Sequence, residues 1–422
     1  MNHFLSDFPL PSELRKKVSQ LKFPDFREAN GHIHTPYSFS AFSDLNTIFS
    51  MARDENIAVL GINDFFVADG YEEFYKGSLR NNIFPLFNIE FIGLLKKEQK
   101  KGIRINDPNN PGRIYFSGKG LDYPFNPGWF NRLRLQSVIN ESQLQIKAMI
   151  FKLNELLRSI NPSLTITYDS VKNRFAHDLV RERHLAKAIR HLAAENFNSP
   201  EDQIHFIETL YGGKKSKAGL DNHAALENEI RSNLLKSGGP AFVEENERSF
   251  LELRKIVGMI LKAGGIPCYP VLLDDVLGNF TEFEKDPEKL CETLSSLKTG
   301  CIELIPGRND PEILKEHVKF FHNKGFIISF GTEHNTPEMI PLTVTARGSA
   351  LIDNELKHIA WEGICIMAAH QYLRAKGRQG YVLPDGNPSI SQIRELSHLG
   401  RMVIEFFLQN HREYETGNPE IA

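Results

Sequence analysis

Short apolar runs alternate with helical patterns in the first and last thirds of the chain. The runs at 57–64 (IAVLGIND) and 84–93 (FPLFNIEFIG) are continuously apolar, which is typical of strands buried on both faces. Helical spacing of apolar residues from Asp44 to about Glu55 predicts a helix after the strand end GHIH. After residue 247 the same alternation gives three helices and the strands IPCYPVLL, CIELIPG and FIISFGTE. Six or seven strands separated by helices predict an α/β fold with a closed or nearly closed barrel.

Two other sections have a different pattern. Residues 94–120 predict a hairpin that turns at 109–112. Amphipathic helical runs then fill residues 140–236, and two more helices are predicted in the tail, at 353–376 and 388–409. We therefore divide the chain into four units: the first part of the barrel at 26–136, an inserted helical subdomain at 137–245, the second part of the barrel at 246–340 and a helical C-terminal extension at 341–422.

Composition and charge narrow the class of protein. The chain has 422 residues, with 50 Lys and Arg against 53 Asp and Glu, and the net charge of −3 argues against nucleic-acid binding through an extended basic surface. The four cysteines are far apart, which favours free thiols in a reducing compartment. The N-terminal residues lack a signal-peptide pattern, and the apolar runs are shorter than the ~20 residues of a membrane-spanning helix. We therefore expect a cytoplasmic protein without a membrane partner.

Titratable side chains recur at or near the ends of the predicted strands. His32 and His34 are two residues apart, so their imidazoles project from one face and can share an ion; the alternative is a hydrogen-bonded histidine pair at the barrel rim. Glu90 interrupts an apolar strand, where a carboxylate needs a metal ion or a structural salt bridge. Glu333 ends the last strand and Asp64 ends the second. Because the carboxyl ends of parallel strands form one rim, we predict that the two histidines and two glutamates bind a metal ion.

Basic residues form a candidate substrate site. In RERHLAKAI, which begins at Arg181, Arg183, His184 and Lys187 lie on adjacent turns of a predicted helix. Arg308 follows one of the later strands and can reach the same rim. Positive groups that converge on a metal ion suit a phosphorylated or carboxylated substrate. The alternatives are a solvated helix face for the first group and an exposed loop position for Arg308.

Five segments, HIHTPYS, GIND, NIE, AGGIPCYP and GTEHN, occur in an order and at spacings that resemble the motifs of the polymerase and histidinol phosphatase (PHP) family. The resemblance spans about 28–335 and is poor at 120–175. It implies a distorted (β/α)7 barrel, a cluster of up to three metal ions and phosphoesterase activity. The segments RHLAKAI and GGPAFVEE resemble the branch of the family that acts on nucleoside phosphates and oligonucleotide ends.

Departures from the family motifs imply a reduced metal site. One metal position of the family is matched in full by His32, His34, Glu90 and Glu333. Aromatic residues stand at other ligand positions, namely Phe39, Phe65, Tyr115 and Tyr269. The resemblance therefore implies a single divalent ion, such as Zn²⁺, Mn²⁺ or Fe²⁺, with bulky rings in the remaining metal positions. His334 lies beside Asn335, which occupies the position of the family's last histidine.

The sequence thus predicts a metal-dependent hydrolase, specifically a phosphoesterase that acts on a phosphorylated small molecule or a nucleotide. Asp64 or His334 is the predicted catalytic base or orienting residue. A single ion can activate water, but it cannot hold both the attacking and the leaving oxygen of a phosphoryl transfer as two ions do. The alternative is therefore a barrel that has lost hydrolysis and binds a ligand or a partner through the reshaped site.

Overall fold

The computed structural model describes residues 4–19, 22–38, 41–177, 179–336 and 338–416. Phe39, one of the aromatic residues at a predicted ligand position, lies outside these ranges.

Seven strands form one sheet in which neighbours follow chain order. The strands are β1 (Ala29–Ile33), β2 (Val59–Phe65), β3 (Phe84–Leu94), β4 (Arg113–Lys119), β5 (Ile266–Val271), β6 (Cys301–Leu304) and β7 (Ile327–Phe330). β1, β2 and β3 are parallel, as are β5, β6 and β7, whereas β4 is antiparallel to both of its neighbours. The antiparallel β4 comes from the predicted hairpin, and it distorts an otherwise parallel barrel.

Residues after β7 return to β1 and nearly close the sheet. A parallel bridge joins Ile33 to Glu333. The amide of Glu333 donates to the carbonyl oxygen of His32 at 2.9 Å, and the amide of His34 donates to the carbonyl oxygen of Glu333 at 2.9 Å. The predicted fold, an α/β barrel of seven strands, is therefore confirmed. This closure also places the backbone of Glu333 between two predicted metal ligands.

Fourteen α-helices lie within the described residues. They are α1 (Pro11–Val18), α2 (Leu45–Asp54), α3 (Tyr71–Asn81), α4 (Lys96–Lys100), α5 (Trp129–Ile160), α6 (Tyr168–Phe175), α7 (Glu182–Asn196), α8 (Pro200–Leu210), α9 (His223–Ile230), α10 (Leu253–Lys262), α11 (Pro287–Ser296), α12 (Pro311–Asn323), α13 (Asn354–Ala375) and α14 (Ile393–Thr416). A short two-stranded sheet, β8 (Thr345–Ala346) with β9 (Ala350–Leu351), precedes α13. None of these helices is both long enough and apolar enough to cross a membrane.

The start and the packing of α12 illustrate how sequence sets a helix. The Asp310 side chain accepts hydrogen bonds from the amides of Glu312 and Ile313, and a proline takes the first helical position. Buried residues at positions 314, 318 and 321 form a stripe at helical spacing, and this stripe faces the barrel. Burying three such side chains contributes about 5 kcal/mol or more.

α5 links the barrel to the helical insertion. It has 32 residues and starts at Trp129, earlier than residue 140, where the helical pattern was predicted to begin. Leu135 and Val138 pack in the apolar core on the barrel, whereas residues from Ile146 onward pack with α6, α7, α8 and α9 in a separate core. The insertion therefore has an apolar core of its own.

α13 covers the amino-terminal ends of the strands. The Gln371 side chain accepts from the amide of Phe87 at 3.0 Å and donates to the carbonyl oxygen of Pro85 at 3.1 Å. His370 hydrogen-bonds to the carbonyl oxygen of Gly264 just before β5. α14 packs along α13, as expected for the two helices predicted in the tail. With one end of the barrel covered in this way, the opposite end holds the polar cluster described next.

Candidate metal centre

Polar side chains occupy alternate positions of the strands and meet inside the barrel. Apart from Asp64 near the end of β2, the buried polar residues of the strands are Asn30, His32, Asn63, Asn88, Glu90, Ser117, Lys119, Glu303 and Ser329. Contacts between strands that are not neighbours, such as His32 on β1 with Glu303 on β6, cross the interior of the barrel. The interior therefore contains a hydrogen-bonded polar network in addition to apolar packing.

Three predicted ligands converge at the carboxyl end of this network. The His32 Nε2 and His34 Nε2 atoms are 3.4 Å apart, and Glu90 Oε2 lies 3.9 Å from the first and 3.5 Å from the second. All three residues are buried, and among the described residues they form the group of potential ligands that share one position. The two-residue period of a strand places both imidazoles on one face, as the sequence predicted.

One buried oxygen of the Glu90 carboxyl group lacks the hydrogen-bond donor that a buried polar atom normally has. Within the described part of the chain, its buried Oε2 atom makes no hydrogen bond. The pKa of Glu90 is raised to about 8, chiefly by burial and then by the nearby Glu303 carboxylate, while the charges of Lys119, Arg308 and Arg181 act to lower it. A cation beside Oε2 would compensate for this buried negative charge.

The donor set fits a divalent metal ion. In a tetrahedral zinc site, bonds of about 2.0–2.1 Å place the ligand atoms roughly 3.3 Å apart. The separations here, 3.4, 3.5 and 3.9 Å, are close to that value. Two imidazole nitrogens and one carboxylate oxygen are the ligands of a catalytic type of zinc site, in which a fourth position remains for water or substrate.

Glu303 and Lys119 fix the His32 ring through its Nδ1 atom, the nitrogen that does not face the converging group. His32 Nδ1 lies 2.8 Å from Glu303 Oε1, and the other oxygen of Glu303 accepts a hydrogen bond from the fully buried Lys119 ammonium. Since a carboxylate only accepts, Nδ1 carries the proton and Nε2 presents a lone pair to the shared position. Burial lowers the pKa of His32, which keeps the ring neutral. Neither residue was predicted from the sequence, although Glu303 interrupts the apolar strand CIEL as Glu90 interrupts its own strand.

Asp64 orders the loop that follows His34. It accepts hydrogen bonds from the Thr35 amide at 2.7 Å, from the Thr35 hydroxyl at 2.5 Å and from the Ser38 hydroxyl at 2.5 Å. The Ser38 oxygen in turn lies 3.4 Å from His34 Nδ1. Burial raises the pKa of Asp64 to about 6. Asp64 is not part of the converging group, and its hydrogen bonds suit the orienting role predicted for it rather than that of a base.

His334, the other predicted base, uses both ring nitrogens in structural hydrogen bonds. Nε2 lies 2.9 Å from the carbonyl oxygen of Ile340, so it carries the proton, and Nδ1 accepts from the Thr332 hydroxyl at 2.7 Å. The ring also stacks on Phe42 at 4.9 Å. This environment corrects the expectation of a base, because neither nitrogen is left to accept a proton from water.

Glu333 does not bring its carboxylate to the other three ligands. Its backbone lies beside β1, but the side chain forms an ion pair with Arg308. Among the described residues the converging group contains His32, His34 and Glu90 alone. The structure thus brings together three of the four predicted ligands.

Two of the aromatic residues at predicted ligand positions lie beside this group. Phe65 stacks on His34 with a distance of 4.8 Å between ring centroids, and the ring centroids of Tyr115 and Phe65 are 5.9 Å apart. Tyr269 has a different environment, because its hydroxyl donates to Glu284 at 2.7 Å and its ring packs near Phe283. Of the aromatic residues expected beside the metal site, Phe65 and Tyr115 therefore lie next to the three converging side chains.

The basic residues predicted on helix α7 make their contacts within the helical insertion. Arg183 donates to Asn228 at 2.9 Å, and Lys187 lies over the Phe175 ring at 5.8 Å. His184 is fully buried, and its Nδ1 accepts from the amide of the residue before α7 at 2.9 Å. These three predicted substrate ligands are therefore engaged within the insertion.

Arg181 and Arg308 are the basic residues that flank the site. The Arg181 guanidinium lies 4.9 Å from the centre of the Phe65 ring, the same ring that stacks on His34. Both arginine charges act on Glu90 and lower its pKa against the larger effect of burial. Of these two arginines, Arg308 was predicted as a substrate ligand, whereas Arg181, the residue before α7, was not.

Comparisons with known proteins identify the fold but no family. The sequence matches no protein-family model, and no curated protein matches it. Among solved structures, a presumed metal-dependent phosphoesterase from Bifidobacterium adolescentis matches with a TM-score of 0.51 and 13% identity, over 79% of this chain and 95% of that one. An amidohydrolase from Chromobacterium violaceum, with bound sulfate and no metal, matches with a TM-score of 0.51 and 15% identity, over 79% of this chain and 96% of that one. At these identities the similarity shows a shared fold.

Proposed function

We propose that the protein is a metal-dependent hydrolase whose single divalent ion is held by His32, His34 and Glu90. The main observation is the buried Glu90 oxygen without a hydrogen-bond donor, 3.5 Å and 3.9 Å from two imidazole nitrogens. The two structural neighbours, one a presumed metal-dependent phosphoesterase and one an amidohydrolase, support the general class. A bound divalent ion supplies Lewis-acid polarisation and activation of water.

The substrate we propose is a phosphorylated small molecule or a nucleotide. Arg181 and Arg308 approach the ligand cluster from different elements, one preceding α7 and the other following β6. Guanidinium groups form paired hydrogen bonds with phosphate oxygens, so two of them suit a phosphoryl group better than an amide. Phe65 covers one side of His34 and limits the access of bulk water to it.

The residues around the ion have distinct roles in this proposal. Glu303 holds the His32 proton on Nδ1, and Asp64 fixes the loop that carries Ser38 behind His34. Lys119 neutralises Glu303 inside the barrel. The two arginines bind the substrate anion and hold it in a fixed orientation. Such positioning lowers the activation barrier of the reaction.

Two contacts favour a second candidate function. Glu333 pairs with Arg308 and Phe65 stacks on His34, so the converging group has a single carboxylate, and a ring packs against one of its histidines. A barrel that binds a ligand or partner without hydrolysing it is consistent with these contacts.

Metal analysis combined with a substrate panel separates the two functions. We expect about one equivalent of Zn²⁺, Mn²⁺ or Fe²⁺ by mass spectrometry, and hydrolysis of phosphomonoesters or nucleotides rather than amides. His317→Ala is the matched control for a variant that lacks a histidine ligand, such as His34→Ala. His317 stacks on Phe280, away from the cluster, so its loss leaves the three ligands in place and should leave the bound metal unchanged. Bound metal without turnover of any substrate would favour the binding function, and a protein without metal would contradict the proposal.

A further inference from the structure

The ion pair between Arg308 and Glu333 lies beside a site with three converging ligand atoms. The Glu333 side chain is 13% exposed and that of Arg308 is 45% exposed, so the carboxylate is the inner member of the pair. Arg308 follows β6 in a short helical turn, and the Arg347 guanidinium donates to its carbonyl oxygen. The arginine backbone is thus anchored while its side chain reaches towards solvent.

The backbone of Glu333 is held beside both histidine ligands. Its amide bonds to the carbonyl oxygen of His32 and its carbonyl oxygen accepts from the amide of His34, each at 2.9 Å. Glu333 has φ of 66°, in the left-handed region that non-glycine residues rarely adopt. The direction of its side chain is therefore set by an unusual backbone conformation and by one partner, Arg308, whereas its Cα is fixed next to the ligand cluster.

Two carboxylates attract the Arg308 guanidinium. Glu333 pairs with it directly, and Glu90 in the ligand cluster also attracts it. A phosphate dianion carries more charge than either carboxylate and accepts two parallel hydrogen bonds from a guanidinium. An incoming phosphoryl group would therefore compete with Glu333 for the same donors.

We propose that Arg308 and Glu333 form an exchangeable pair that couples substrate binding to completion of the metal site. When a phosphoryl group binds the Arg308 guanidinium, the ion pair between Arg308 and Glu333 breaks. The Glu333 carboxylate then turns to the ion and binds it as a fourth protein ligand. This inference rests on the proposed metal site and specifies phosphoryl groups as its substrate class. Coupling between two binding sites is reciprocal, so phosphate strengthens metal binding by the factor by which metal strengthens phosphate binding.

Zinc affinity, measured by competition with a chromophoric chelator, tests the exchange without relying on turnover. Millimolar inorganic phosphate should tighten Zn²⁺ binding to the wild-type protein by about tenfold, within the range of typical couplings. Arg308→Gln frees Glu333, so it should bind Zn²⁺ about tenfold more tightly without phosphate and respond little to it. Glu333→Gln should abolish the phosphate effect, and the double variant should lose the gain of Arg308→Gln.

Arg181→Gln is the matched control, because it removes a positive charge near the same cluster without touching Glu333. A gain in zinc affinity as large in Arg181→Gln as in Arg308→Gln would show a general charge effect and overturn the exchange. A gain that persists in the double variant, or a phosphate effect that persists in Glu333→Gln, would also overturn it. Absence of zinc binding to the wild-type protein would overturn the proposed function itself and this inference with it.

Discussion

Replacing Glu90 by Gln should make the metal-free protein more stable and prevent metal binding. The wild-type carboxyl group is buried 3.5 Å from His34 Nε2 with one oxygen lacking a donor, and its pKa is raised from 4.5 to about 8, chiefly by burial. Glutamine has the same shape and no charge to bury. The substitution therefore removes the cost of the buried charge and also the ligand that an ion requires.

The size of the effect follows from the pKa of Glu90. Between pH 4.5 and 8 the folded protein holds a proton that the unfolded chain has released, so the stability of the wild-type protein falls as pH rises. Each pH unit in that window costs about 1.4 kcal/mol, which gives an upper limit of about 5 kcal/mol by pH 8. The free energy of unfolding of Glu90→Gln should exceed that of the wild type by an amount that grows with pH and levels off above 8.

Urea unfolding of chelator-treated proteins at pH 5, 6.5 and 8 measures this difference. Glu284→Gln is a matched control, because burial also raises the pKa of Glu284 to about 7 while its partners are Tyr269 and two amides of the loop after β5. Glu284→Gln should show a similar pH trend, yet a saturating divalent ion should still stabilise it, by about 3 kcal/mol at a concentration of 100 Kd. The same ion should leave Glu90→Gln unchanged. A stability difference between wild type and Glu90→Gln that stays constant with pH, or metal stabilisation of Glu90→Gln, would refute this reasoning.

Four further substitutions test the supporting contacts. His34→Ala should lose bound metal by mass spectrometry and keep the wild-type circular dichroism spectrum, because the barrel strands do not depend on this side chain. Lys119→Met leaves Glu303 buried without its cation and should lower the free energy of unfolding by about 3–5 kcal/mol in urea, with partial recovery in the double variant Lys119→Met, Glu303→Gln. Gly331→Ala places a Cβ 2.3 Å from that of His32, so a zinc titration should show at least about tenfold weaker binding. Arg181→Gln should raise KM for a phosphorylated substrate while metal content stays at the wild-type level, and equal KM values would contradict its role in binding the substrate.

The parts of the fold that depend on local patterns were predictable. Continuous apolar runs marked β2 and β3, and the alternation of apolar runs with helical patterns after residue 247 predicted a helix where α12 lies. The two-residue spacing of His32 and His34 gave their common face without any knowledge of tertiary structure. A carboxylate within an apolar strand identified Glu90, and the same rule applied to CIEL would have identified Glu303.

The parts that depend on long-range side-chain pairing were not predictable. Glu333 ends a strand, but its positive φ and its pairing with Arg308 turn the carboxylate away from the ligand cluster. His334 and Asp64 have the chemistry of a base, yet Ile340, six residues from His334, and Ser38, 26 residues from Asp64, occupy the atoms that a base needs. Such contacts form only when strands and loops separated in the chain meet in the folded barrel.

Anomalous X-ray diffraction from crystals of the zinc-loaded protein would test the proposed metal site most directly. We predict one strong peak in the barrel mouth, within about 2.0–2.2 Å of His32 Nε2, His34 Nε2 and an oxygen of Glu90. A mouth without a peak, or two or more ions held there by other side chains, would contradict it.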